Sequence, residues 1–223
     1  MFAGHLGAAL AIGRAEPKLN VGALVTASLL LDLVLWVFVL LGWETVIIPA
    51  NFASTHQAAY TFPYSHGLVA GLIWSGVAGL ATLLWLNGRA IQRRAALLVA
   101  LTVFSHWVLD ALVHRPELPL AGTGSLAIGL GLWNRMPVAI GLEVAIVLAG
   151  LWLFLGRTPL TRGKAIAVTV LTLVILAFTV IGMTLGPAPP SARAMAASSL
   201  GTLALVCALA AWLGRVRAPS PGA

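Results

Sequence analysis

Six apolar runs constrain this chain more than any other feature: residues 20–41, 64–86, 95–113, 136–155, 165–185 and 194–213. Each is close to the ~20 residues that an α-helix needs to cross a bilayer. Of the 223 residues, 60% are hydrophobic and only 9% are charged, whereas a soluble domain carries about a quarter charged residues. The reading is an all-α polytopic membrane protein with six transmembrane helices. Residues 1–213 form a single transmembrane helical domain, and 214–223 are a short basic, Pro-rich tail.

Residues 2–13 (FAGHLGAALAIG) are apolar but too short to span. No basic segment precedes them, so a cleaved signal peptide is not expected. They are read as an N-terminal re-entrant half-helix, which is tolerated at membrane depth only when packed in protein. The bland alternative, a helix lying flat on the surface, fits poorly with faces that are apolar all round.

The net charge of +7 does not point to nucleic acid, because the basic residues are scattered singly between apolar runs. With six spans they divide unevenly. Arg14, Lys18, Arg89, Arg93, Arg94, Arg157, Arg162, Lys164, Arg215 and Arg217 fall on one side, and Arg115, Arg135 and Arg193 on the other. Cytoplasmic loops carry the excess of Lys and Arg, so both termini are expected in the cytoplasm of a bacterial inner-membrane protein. Cys207 is the only cysteine, so no disulfide forms within the chain.

Chemistry concentrates at the end of the third run, in FSHWVLDALVHRPELPL (104–120). His106, Asp110 and His114 follow at spacings of four, which puts them on one helical stripe. Pro116 and Pro119 end the helix. Of the six acidic residues, Glu16, Glu44 and Glu117 fall in connections and read as solvated surface. Asp32, Asp110 and Glu143 fall inside three different runs, with no arginine or lysine beside them. Carboxylates at membrane depth need protons, waters or a metal.

Depth brings these groups together. At about 1.5 Å per residue, Asp32 and His106 each lie about 18 Å from the basic side, Asp110 about 24 Å and Glu143 about 20 Å. His66 opens the second run, near the outer end. His5, on the half-helix, comes to about 13 Å. Imidazole and carboxylate are the usual ligands of zinc and similar cations. His5, Asp32, His66, His106 and Asp110 are therefore the candidate metal ligands, with Glu143 and His114 as candidate catalytic acid/base groups. Plain His106–Asp110 pairing, and a protonated Glu143 bonded to a backbone carbonyl, are the structural alternatives. Gly129, Gly131, Trp133 and Asn134, in GLGLWN, suggest a tight outward turn capping the site. No Walker loop, dinucleotide glycine motif or Gly-x-Ser-x-Gly elbow is present.

Four blocks in order, GHLGAALAIG, LLLDLVLW, PYSHGL and FSHWVLDALVHRPELPL, resemble the bacterial YdjM-like membrane-bound metal-dependent hydrolases. They cover roughly the first 120 residues; the last three runs carry little of the likeness. The resemblance implies a helical inner-membrane protein with a metal site. It places the family's histidines and aspartates on His5, Asp32, His66, and on His106 and Asp110 after Ser105. Where the family often has a second Asp and a His after the first Asp, this chain has Val34 and Leu35 or Trp36.

The expected function is thus a membrane-embedded metal-dependent hydrolase, with zinc or a similar cation, acting on a lipid or lipid-linked ester, foremost a phosphoester. Two competitors remain. One is a small permease or proton-coupled transporter relaying through Asp32, Asp110 and Glu143. The other is a structural or partner-binding membrane protein whose polar layer fixes helix packing.

Overall fold

The computed structural model describes residues 1–214; the basic tail expected at 214–223 lies outside the described residues beyond Gly214. The helices, in chain order, are α1 (Phe2–Gly13), α2 (Val21–Ser28), α3 (Leu30–Leu41), a single turn α4 (Phe52–Thr55), α5 (Leu68–Trp85), α6 (Gln92–Val113), α7 (Met136–Leu155), α8 (Arg162–Thr184) and α9 (Ala192–Leu213). A 3₁₀ turn, Leu132–Arg135, leads into α7. Two short antiparallel ladders sit in the connections: β1 (Thr45–Ile47) with β2 (Ala59–Thr61), and β3 (Leu118–Pro119) with β4 (Ala127–Ile128). The molecule is an all-α polytopic membrane protein. Among the described residues, five helices are long and apolar enough to cross a bilayer, six counting the bent α2–α3 pair as one broken span.

The first span is not continuous, as its sequence suggests, but bent by 48° at Leu29. Sharp kinks arise where something intrudes on the i→i−4 ladder. Here Ser28 Oγ donates back to Val25 O at 2.9 Å, and the Ser28 carbonyl is claimed by an imidazole from α6 at 2.6 Å. Asp32 thereby falls in the first turn of α3.

The half-helix α1 is buried in protein, against α7, α2, α6 and α8. Its approach to α7 is backbone on backbone. A Cβ on Gly7 would lie 2.7 Å from Ile146 O, and one on Gly150 would collide with Gly7 O. Small residues that let helices touch are how membrane helices associate without a hydrophobic driving force. Only glycine fits at this crossing, and it holds His5 one turn or less away at a fixed height.

α5 begins later than the apolar run. Residues 64–67 are a loop, not the first helical turn, because the Glu44 carboxylate takes the Tyr64 and Ser65 amides, each at 2.8 Å. His66 therefore precedes the helix. The three connection carboxylates are not solvated as expected. Glu44 is 2% exposed and Glu16 is buried, with Arg94 Nε 3.8 Å from Glu16. Glu117 is half-buried and bonded to His114. α9 packs on α2 and α3, and α8 on α7 and α1, while α8 and α9 touch each other only sparsely.

Candidate functional site

The stripe on α6 is fully inside the protein: His106 is 0% and Asp110 2% exposed. His106 Nδ1 meets the Ser28 carbonyl, an acceptor with no proton to give, so Nδ1 carries the hydrogen. His106 Nε2 is then a bare lone pair. The same logic applies to His66. The Ser65 hydroxyl has one proton and donates it to Glu44 Oε2 at 2.7 Å. It must therefore accept from His66 Nδ1–H at 2.8 Å, which in the neutral ring leaves His66 Nε2 bare. His114 Nδ1–H donates to Glu117 Oε1 at 2.7 Å. Three imidazoles are each oriented by an acceptor behind them, as metal-binding histidines are.

The two bare nitrogens, His66 Nε2 and His106 Nε2, face each other at 3.2 Å. Neutral rings held this way repel unless a positive charge, a metal ion or a proton, lies between them. Asp110 Oδ2 is 3.1 Å from His106 Nε2 and 3.4 Å from His66 Nε2. Asp32 Oδ1 is 3.6 Å from His66 Nε2 and 3.8 Å from His106 Nε2. Ligands 2.0–2.1 Å from a tetrahedral ion stand about 3.3 Å apart. The donor types and their spacing fit a divalent cation. Two triplets that share His106 could each hold a metal ion: the buried His66–His106–Asp110, and His5–Asp32–His106, in which Asp32 is half-buried.

Asp110 uses its two oxygens differently. Oδ2 faces His66 and His106, while Oδ1 lies 3.2 Å from both His5 Nε2 and the Met1 α-amine. The His5 ring stacks on His106 at 3.7 Å, within 7° of parallel. His5 Nδ1 is buried with no partner. So the five candidate ligands, contributed by α1, α3, the loop before α5, and α6, gather around His106 as two overlapping triplets. The candidate acid/base groups do not. His114 sits at the rim, its Nε2 3.8 Å from Asp110 Oδ2. Glu143 lies behind α1, with Oε1 3.5 Å from the Gly4 amide and Oε2 unpartnered.

A cavity of about 380 Å³ opens beside the cluster. Asp32, His66, Asp110 and His114 form its polar end, and Trp36, Tyr60, Phe62 and Trp133 part of its wall. Asp32 is the most accessible of the ligands, with 22% of its side chain exposed. The GLGLWN turn brings the Trp133 ring to 4.2 Å from His114. Gly131 supports that turn in the left-handed region at φ 68°. Burial, with Asp32, Glu117 and Asp110 nearby, pushes the Tyr60 phenol up, so it stays a proton donor.

Sequence reasoning missed two sets of residues. Glu44, Ser65 and Glu117 orient the histidines; the signals were Ser65 adjacent to His66 and Glu117 three residues after His114. Thr179, Ser198, Ser199 and Thr202 line the far wall of the cavity. Their signal was a pair of hydroxyls at i and i+4, Ser198 and Thr202, in an otherwise apolar helix.

No family model matches the chain, and neither a curated protein nor a solved structure does.

Proposed function

We propose that the chain is a membrane-embedded metal-dependent hydrolase acting on a lipid or lipid-linked ester, with zinc as the cation. The observation that carries this is the pair of bare Nε2 atoms of His66 and His106, 3.2 Å apart and flanked by two carboxylates. His66, His106, Asp110 and Asp32 hold the cation, and His5 braces Asp110 from its other oxygen. A divalent cation there supplies Lewis acidity and lowers the pKa of a bound water. Asp32, exposed to the cavity, is placed to take a proton, and Tyr60 and His114 to hold or give one at the rim. Glu143, behind α1, acts on the cluster from a distance.

The reading agrees with the resemblance to the YdjM-like hydrolases, whose signature positions are the converging ones. The basic imbalance supports an orientation with both termini in the cytoplasm and the cavity in the outer half of a bacterial inner membrane. A permease would need polar groups continuing below the cluster. Most buried side chains there, such as Leu6, Leu10, Leu24, Val25, Val99 and Val103, are apolar, and Thr102 gives its hydroxyl proton to Leu98 O of its own helix.

The test is metal analysis of the purified protein beside His106→Ala and Asp110→Ala. Wild type is expected to carry stoichiometric metal and the variants to lose it. A metal-free wild type, or variants that keep their metal, would overturn the proposal.

A further inference from the structure

The cavity is not sealed on the side of the last two spans. Phe178 is 57% exposed, and Gly182 and Ser198 are also exposed, yet all three line the cavity. A Cβ placed on Gly182 would meet nothing within 4 Å. Both α8 and α9 are membrane spans and touch sparsely. The gap between them therefore faces hydrocarbon rather than water.

Size makes such a gap necessary for a lipid. About 380 Å³ is at the small end for a ligand pocket, which runs from about 300 to 1,000 Å³. A polar head fits, but two acyl chains do not, so they must stay outside while the head is inside.

The wall opposite the cluster selects the head. Ser198 Oγ donates to Met195 O at 3.0 Å, Thr202 Oγ1 to Ser198 O at 2.9 Å and Thr179 Oγ1 to Ile175 O at 2.8 Å. Each hydroxyl gives its proton to its own helix and keeps its oxygen lone pairs for a ligand. Three of the wall's four hydroxyls thus offer acceptors and suit a head that carries donors.

Charge narrows it further. Among the described residues, no lysine or arginine lines the cavity. A divalent cation and the Met1 α-amine, 3.2 Å from Asp110 Oδ1, against the carboxylates of Asp32 and Asp110 sum to about +1. One further negative charge is balanced in such a space, but the second charge of a dianion lacks a partner.

We infer that the cavity takes the head of a monoanionic phosphodiester lipid bearing hydroxyl donors, which enters from the outer leaflet through the gap between α8 and α9. The inference rests on the metal-centre reading for its charge balance.

The full chain is reconstituted in phosphatidylcholine vesicles, whose heads carry no donors. They are doped with phosphatidylglycerol bearing a diazirine on a methylene carbon of the upper acyl chain, close to the glycerol, or with phosphatidic acid labelled at the same carbon. Photolabelled peptides are mapped by mass spectrometry, and metal content is measured on the same samples. The phosphatidylglycerol probe is expected to label residues 178–183 and 195–203. Gly182→Trp should cut that labelling about tenfold by plugging the gap, leaving metal content and the labelling of α5 unchanged. Phosphatidic acid should label the cavity about tenfold less. Cavity labelling no higher than that of α5, or unaltered by Gly182→Trp in protein that keeps its metal, overturns lateral entry while the metal centre stands. Equal labelling by the two probes overturns the charge selection. Labelling of the cavity in metal-free wild type supports lateral entry and sinks the metal centre.

Discussion

His66 Nε2 and His106 Nε2 point at each other across 3.2 Å, and each ring has already spent its Nδ1 proton on an acceptor behind it. Two sequence-distant segments are thus brought to a contact that is unfavourable unless something positive completes it.

Nitrogen NMR of the purified protein should find His66, His106 and His114 as Nδ1–H tautomers with metal-shifted Nε2 in at least the first two. Protons on Nε2 of both His66 and His106 would contradict the arrangement.

Glu44 never touches the cluster, but it fixes Ser65, which fixes His66. Removing an outer partner of a metal-bound histidine costs about 10–100-fold in metal affinity. Ser65→Ala should weaken metal binding by that amount, measured by competition with a chromophoric chelator. An unchanged affinity would mean that His66 is held by other means.

Stripping the cation should lower stability. A ligand bound only to the folded state at about 1,000 times its dissociation constant adds about 4 kcal/mol. Treatment with a chelator should lower the thermal midpoint, and added zinc should restore it. His66→Ala should show no shift with either.

The Gly7–Gly150 crossing sets the height of His5. Forcing side chains into a packed site costs about 1–3 kcal/mol, and here the clash is with backbone. Gly150→Leu should cost at least that and reduce bound metal, whereas Gly141→Ala, with nothing within 4 Å, should change neither in the same unfolding and metal assays.

Much of this was legible in the sequence, because a bilayer forces apolar runs into helices and makes any carboxylate within them conspicuous. His106, Asp110, Asp32, His66 and His5 stood out for that reason, and depth counting placed them in one layer. Glu44 and Glu117 did not stand out. Position in a connection says nothing about whether a loop folds back over the bundle, and here β1–β2 and β3–β4 do. The bend at Leu29 was hidden because LVTASLLLDL has no proline or glycine at the break. Its cause is a hydrogen bond to a residue 78 positions away. The cavity wall on α8 and α9 was overlooked because hydroxyls in membrane helices commonly satisfy themselves on their own backbone.

The Ser28 carbonyl has two suitors. In a straight helix it would accept from the amide of Asp32, four residues on; in the bent span it accepts from His106. Straightening the span would release His106 to rotate and draw Asp32 out of register with its partners. Curvature of this span and affinity for a cation are therefore one equilibrium seen from two ends, and whatever shifts either must shift the other by the same free energy. A bilayer thick enough to pull the first span straight should loosen the His106–Asp32 arrangement without touching the cavity.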